Sequence, residues 1–65
     1  MSRFDYDVSR VLAQADYPFH ALLMAAYRRA DTGNAAKIRA AWPDVVAELE
    51  ARYHAPGGLL PGETA

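Results

Sequence analysis

The sequence predicts an all-α protein, a compact bundle of three to four short helices with a Pro/Gly-rich C-terminal extension. Apolar residues recur at helical spacing in several segments, and prolines or glycines separate these segments from one another. The composition, 52% hydrophobic and 23% charged, is that of an ordinary globular domain. We therefore divide the chain into a helical bundle domain, residues 1–54, and a C-terminal tail, residues 55–65.

The length of the chain limits its stability. Sixty-five residues form one domain at most. A domain of this size buries only about 60% of the surface that its unfolded chain exposes. The absence of cysteine excludes disulfides and thiolate zinc sites. We therefore expect oligomerisation, or docking on a partner, to supply further support.

The lack of a long apolar run and of a signal-peptide pattern predicts a cytoplasmic protein that does not enter a membrane, and the net charge does not favour a nucleic-acid binder. A net charge of −1 differs from the basic balance of a dedicated nucleic-acid binder. No apolar run approaches the roughly 18 residues that a membrane span needs. The first five residues also lack the basic-then-apolar order of a signal peptide.

The first helix is expected to begin near Asp5 or Asp7, where a carboxylate can cap free backbone amides. Apolar residues then follow at positions i, i+3, i+4 and i+7, which gives one narrow apolar face. These residues are Val8, Val11, Leu12 and Ala15. The face should adhere to a neighbour, because so short a helix is not stable alone in water.

The second helix is expected to run from Pro18 to about Ala30, because proline suits the first position of a helix. This segment is the most hydrophobic of the chain, and it is therefore the predicted centre of the core. Its apolar positions are Phe19, Leu22, Leu23, Ala26, Tyr27 and Ala30.

A loop is predicted over residues 31–34, where Gly33 can take a positive φ. A short third helix should follow over residues 35–41. Trp42 and Pro43 interrupt it, because proline cannot continue a helix but can open the next one.

The fourth helix is expected to run from Pro43 to about His54. Glu48 and Arg52 stand at i and i+4, and an ion pair at this spacing stabilises a helix by about 0.3 kcal/mol. The residues predicted to face the core are Val45, Val46, Leu49 and Tyr53.

The tail contains three of the four glycines and two of the four prolines, so no regular element is expected in it. Leu59 and Leu60 form an adjacent leucine pair, which is unusual in a solvated tail. We expect the pair to fold back onto the bundle or onto a partner.

No group of residues predicts catalysis. The serines and threonines lie in no nucleophile motif, and the carboxylates are scattered, most of them at helix starts, where capping explains them. His20 and His54 are isolated, and no metal-ligand spacing surrounds them. We therefore predict that the protein is not an enzyme and uses no cofactor or metal.

Four basic residues, Arg28, Arg29, Lys37 and Arg39, flank the Gly33 turn and predict a positive hairpin between the second and third helices. Three interpretations stay open: a solvated face, a surface for an acidic protein or nucleoprotein, and a helix-turn-helix that reads DNA. Against the last, Arg29 occupies the place where a helix-turn-helix usually has a small residue.

Three aromatic residues lie beside predicted helix breaks: Tyr6, Tyr17 and Trp42. Tyrosine and tryptophan are preferred anchors of protein interfaces, so these residues are candidates for partner binding. Plain packing in the core is the alternative.

Several stretches resemble a family of short proteins from proteobacterial phages and mobile elements. They are residues 19–26, 29–34, 42–45 and 51–63, within a resemblance that covers about residues 16–63. The resemblance implies an accessory factor that binds and blocks a host complex, as anti-CRISPR proteins do, or else a small regulator. The Ala-Arg-Tyr-His-Ala-Pro-Gly-Gly run is its most distinctive part and suggests that the tail has a specified structure.

Together these observations predict a non-catalytic protein-binding module that inhibits or adapts a larger protein or nucleoprotein complex. The alternatives are a small DNA-binding regulator that uses the basic hairpin and a structural homo-oligomer such as a homodimer. The residues predicted to bind the partner are Arg28, Arg29, Lys37, Arg39, Tyr6, Tyr17, Trp42, Leu59 and Leu60.

Overall fold

Helices dominate the chain. A computed structural model describes residues 2–64, so Met1 and Ala65, the ends of the two predicted segments, lie outside the described residues. Within that range the elements are α1 (Arg3–Gln14), α2 (Phe19–Arg29), α3 (Thr32–Ala41), α4 (Pro43–Tyr53) and a 3-10 turn at Pro56–Gly58. No strand occurs among the described residues, and the prediction of a small all-α bundle is confirmed.

The buried core of the described chain lies on one helix, α4. Val45, Val46 and Leu49 are 8%, 2% and 6% exposed, and α1, α2 and α3 contribute no buried residue. α2, α3 and the 3-10 turn all pack against α4. The prediction of these three core residues is therefore confirmed.

Two predictions about the core are wrong. Tyr53 is 70% exposed, because it lies in the last turn of α4, beyond the three buried side chains. α2 is not the centre of the core, because its apolar residues surround the helix and only one side of it can face α4. Leu23 and Met24 are half-buried there, whereas Phe19 stays exposed.

The cap of α1 lies further upstream than the sequence pattern indicated. Ser2 is the N-cap, and its Oγ accepts a hydrogen bond from the backbone N–H of Asp5 at 3.2 Å. The same hydroxyl donates to the Asp5 carboxylate at 3.1 Å. A start at Asp5 or Asp7 is therefore wrong, because the serine hydroxyl caps the helix and places Asp5 in its first turn.

The predicted loop at residues 31–34 is also wrong. Asp31 is the N-cap of α3, and its Oδ1 accepts a hydrogen bond from the backbone N–H of Asn34 at 2.8 Å. Gly33 therefore lies in the first turn of the helix, and the positive-φ glycines are elsewhere, in the tail. A carboxylate at the N-cap, together with favourable packing on α4, outweighs the low helix propensity of glycine.

Prolines set the starts of the other helices. Pro43 opens α4 as predicted, and His54 is the C-cap of that helix, one residue past its end. Pro18 is the N-cap of α2 with φ −61° and ψ 146°, so the helix begins one residue later than expected.

α1 stands apart from the other helices. None of its Cα atoms lies within 8 Å of a Cα atom in another element of the described chain. The radius of gyration is 13.9 Å, against about 11 Å for a close-packed chain of this length. The bundle proper is therefore α2, α3 and α4, with α1 projecting from it.

Replacement of Leu49 by alanine should unfold most of the protein. Removing a buried leucine side chain costs about 2–5 kcal/mol, which is comparable to the whole stability of a small domain. Urea denaturation followed by circular dichroism measures this loss. Tyr6→Ala is the control, since that side chain is 64% exposed and should change the free energy of unfolding by less than about 0.5 kcal/mol. Equal urea midpoints for the two variants would contradict a core centred on α4.

Candidate functional site

The four basic residues of the α2–α3 hairpin do not share one surface. The guanidinium carbon of Arg28 lies 5.8 Å from the ring centroid of Tyr53, on the side of the C-terminal end of α4. Arg29 and Lys37 instead line a separate shallow depression between α2 and α3. Adjacent residues of a helix point about 100° apart, so Arg28 and Arg29 cannot serve the same face.

A cleft of about 470 Å³ opens between the C-terminal ends of α2 and α4. Leu49 forms its apolar floor, and aromatic and charged side chains form its walls. The residues that line it are Tyr27, Arg28, Leu49, Glu50, Tyr53 and His54. We call it the Arg–Tyr cleft.

Arg39 is held at the edge of this cleft by three interactions. Its guanidinium carbon lies 5.7 Å from the ring centroid of Tyr27, and its Nη2 donates a hydrogen bond to the hydroxyl of the same tyrosine. The same nitrogen lies 3.7 Å from a carboxylate oxygen of Glu50. About half of each charged side chain remains exposed, so the pair fixes geometry more than it stabilises the fold.

Arg28 and Tyr53 form the more accessible half of the cleft. Within residues 2–64 no carboxylate lies within 4 Å of the Arg28 guanidinium, so its charge remains free for a partner. The Tyr53 ring also meets the ring of His54 edge-to-face, at 5.4 Å between centroids. An arginine over a tyrosine face is attracted by the ring quadrupole, which holds both side chains in place.

The three aromatic candidates lie in different surroundings. Trp42 links α3 to α4 and packs edge-to-face on Phe19 of α2, at 6.1 Å between centroids. Tyr6 is exposed on α1, and Tyr17 is exposed in the segment between α1 and α2. None of the three lines the Arg–Tyr cleft.

The tail folds back onto α4 through Arg52. Its Nη1 and Nη2 donate to the two carboxylate oxygens of Glu63 at 2.7 and 2.8 Å. Nη1 also donates to the backbone oxygen of Gly58, and Nε donates to Glu48 at 2.9 Å, which confirms the predicted Glu48–Arg52 pair. Leu60 is half-buried as a result, while Leu59 stays partly exposed.

Sequence reasoning missed the contact between Arg52 and Glu63. The two residues are eleven positions apart and are separated by Gly57 and Gly58, whose φ values are +64° and +71°. Glycine takes this left-handed conformation without steric cost, and it turns the chain back towards α4. The glycine pair was a signal that the tail reverses direction, but it did not identify the residue that the tail meets.

The Arg52 contact also sets the acidity of Glu63. The hydrogen bonds from Arg52, and then the backbone hydrogen bond from Leu60, lower the pKa of the Glu63 carboxyl from its ordinary value of 4.5 to about 2. The same interactions raise the pKa of the Arg52 guanidinium. Both groups are therefore charged throughout the neutral range.

Metal sites, membrane spans and similarity to known proteins complete the description. Among the described residues, no three histidine or acidic side chains come close enough to hold a metal ion. No described helix has the length and apolarity required to cross a membrane. In comparisons with known proteins, no family model, curated protein or solved structure matches this chain.

Acidification should release the tail. Because the pKa of Glu63 is lower in the folded protein than in the unfolded chain, its contribution is fully present above about pH 4.5 and is lost as the pH falls towards 2. Glu63→Gln should therefore loosen the tail at neutral pH, and Glu50→Gln, which leaves Arg52 untouched, is the matched control. The amide of Leu60, which donates to Glu63, reports the change in an NMR pH titration. A midpoint near 4.5 for Glu63 would contradict the pairing.

Proposed function

We propose that the protein is a non-catalytic binding module of the cytoplasm that inhibits or adapts a larger protein or nucleoprotein complex. The observation that carries the proposal is the Arg–Tyr cleft, where Arg28 lies over the ring of Tyr53 and, at the edge, Arg39 lies over the ring of Tyr27. No described group of side chains in the cleft resembles a nucleophile with an adjacent base, so binding accounts for the cleft better than catalysis does.

The composition of the cleft matches that of interface hot spots. Tyrosine and arginine are enriched among the residues that dominate binding free energy, and they act best around a desolvated centre. Leu49 supplies such a centre, since it forms both the cleft floor and part of the core. A partner side chain inserted here would contact a residue of the core.

The cleft is also organised before any partner binds. Tyr27 holds Arg39, and Arg28 rests on Tyr53, so both long side chains already have partners within the chain. Binding costs less when the contacting side chains are already ordered. The contacts of Arg28 and Arg39 therefore support a recognition role, since a basic face that only meets solvent would hold its arginines in no such contacts.

The charge of the cleft indicates the chemistry of the partner. Arg28 lines the cleft and Arg39 lies at its edge, and together they outweigh the single carboxylate of Glu50, so the local charge is positive although the whole chain carries −1. Guanidinium groups bind carboxylates and phosphates with paired hydrogen bonds. We therefore favour an acidic protein surface as the target. The resemblance to phage accessory proteins, anti-CRISPR proteins among them, supports a host complex as the assembly that carries this surface.

The test compares two neighbouring arginines, Arg28 and Arg29, whose side chains point about 100° apart on α2. Tagged wild-type protein, Arg28→Ala, Tyr53→Ala and the control Arg29→Ala are each used to capture partners from host lysate, with and without nuclease. Arg28→Ala and Tyr53→Ala should each reduce the recovered partner by about tenfold or more, as hot-spot residues do. Arg29→Ala should recover the partner as the wild type does, because its side chain lies outside the cleft.

The outcomes separate the competing functions. A stoichiometric protein that resists nuclease and requires Arg28 supports the proposal. Recovery that disappears with nuclease favours the DNA-binding regulator, whose duplex affinity should then fall steeply with salt. Equal recovery by Arg28→Ala and Arg29→Ala would show that the cleft is not the binding surface.

A further inference from the structure

A stripe of apolar side chains runs along α1 and remains exposed to solvent in the described chain. Its members are Phe4, Val8, Val11 and Leu12, which are 73%, 39%, 66% and 45% exposed. They recur at helical spacing and contain no charged residue. A helix of only 12 residues is marginal in water without tertiary contacts, so the α1 stripe requires a surface to pack on.

The same chain carries an apolar groove on the outer face of α2. The groove has a volume of about 570 Å³, and its lining is almost wholly apolar. Leu22, Ala25 and Ala26 form its floor, and Leu12 and Tyr17 form the wall towards α1. The short alanine side chains leave room for a helix to approach closely.

The exposed area measures how much surface is left uncovered. The solvent-accessible surface is 5514 Å², whereas a close-packed monomer of 7.1 kDa exposes about 4,100 Å². The excess is therefore about 1,400 Å² per chain, above the roughly 800 Å² that each partner buries in a standard interface. Two chains that bury this excess would form an interface of about 2,800 Å², within the range of obligate homodimers.

We propose that a second copy of this chain covers the surface, and that the α1 stripe of each copy packs into the α2 groove of the other. A two-fold interface needs a self-complementary patch, and one chain here supplies both an apolar ridge and an apolar groove. The ridge and the groove adjoin at Leu12, so a single two-fold axis near this residue would bring both contacts together. The proposal is independent of the Arg–Tyr cleft, since α1 does not line that cleft.

Charge favours the same pairing. Asp5 and Asp7 lie about 80° to either side of the centre of the α1 stripe, at about 100° per residue, and Asp7 is paired with Arg3 at 3.8 Å. The α2 groove ends at Arg29, and Lys37 lies in the adjoining depression. An acid-flanked stripe therefore meets a groove with a basic end, which orients the two copies.

Sedimentation equilibrium of the purified full chain tests the proposal. We expect wild-type protein to sediment at roughly 14 kDa, twice the 7.1 kDa of one chain, at micromolar concentrations. Val11→Asp should weaken the dimer by more than about 100-fold, because each copy would bury an unpaired carboxylate. Tyr6→Asp is the matched control: it adds the same charge to the opposite face of α1 and should leave the dimer intact.

Each outcome decides for or against the dimer. A wild-type protein that is monomeric at 100 μM and above would overturn the dimer. Small-angle scattering would then distinguish two monomers. A radius of gyration near 11 Å would mean that α1 has closed onto its own α2, and a value near 13.9 Å would mean that α1 has stayed extended. Equal weakening by Val11→Asp and Tyr6→Asp would also overturn it. Sedimentation of purified protein needs no host partner, so failure of the dimer and failure of the proposed function are distinguished.

Discussion

Burial of three side chains on α4 is the interaction on which the rest of the structure depends. Val45, Val46 and Leu49 are the buried core of the described chain, and α2, α3 and the tail each pack on the helix that carries them. α2 and α3 contribute half-buried residues but no buried one. In so small a core every contact with α4 counts, since burying one such side chain contributes about 1.5–3 kcal/mol.

The position of this core explains where the exposed recognition surfaces lie. α4 has room for α2, α3 and the tail, so α1 is left without a helix to pack on. Leu49 is buried by its neighbours on one side and reaches the floor of the Arg–Tyr cleft on the other. The cleft and the α1 stripe therefore lie on different parts of the molecule, and one can bind a partner while the other joins two copies. The Arg52–Glu63 pair holds the tail against the C-terminal end of α4.

Local signals in the sequence were sufficient for the number and order of the four helices and for part of the core. The spacing of Val45, Val46 and Leu49 identified the buried face of α4, and Pro43 identified its start. The pattern of α2 was misleading, because periodicity shows that a helix has apolar sides but not how many of them a neighbour covers. Asp31 was assigned to a loop, although its carboxylate caps α3.

The candidate site was less accessible to sequence reasoning, because it depends on contacts between distant residues. The basic character of the α2–α3 hairpin was visible, but Tyr53 and Glu50 come from α4 and decide which arginines are held together. The separation of Arg28 from Arg29 followed from helix geometry alone and could have been predicted. The contact of Arg52 with Glu63 could not, since it requires the path of the tail through Gly57 and Gly58.

Hydrogen–deuterium exchange read by mass spectrometry at two protein concentrations tests the central claim, that the α4 core holds the fold and that α1 depends on contacts outside its own chain. We expect peptides from α4 to be the slowest to exchange at both concentrations, because their amides open only on global unfolding. Peptides from α1 should exchange almost freely in dilute protein and gain protection when the concentration is raised. Protection of α1 equal to that of α4 in dilute protein would contradict the account.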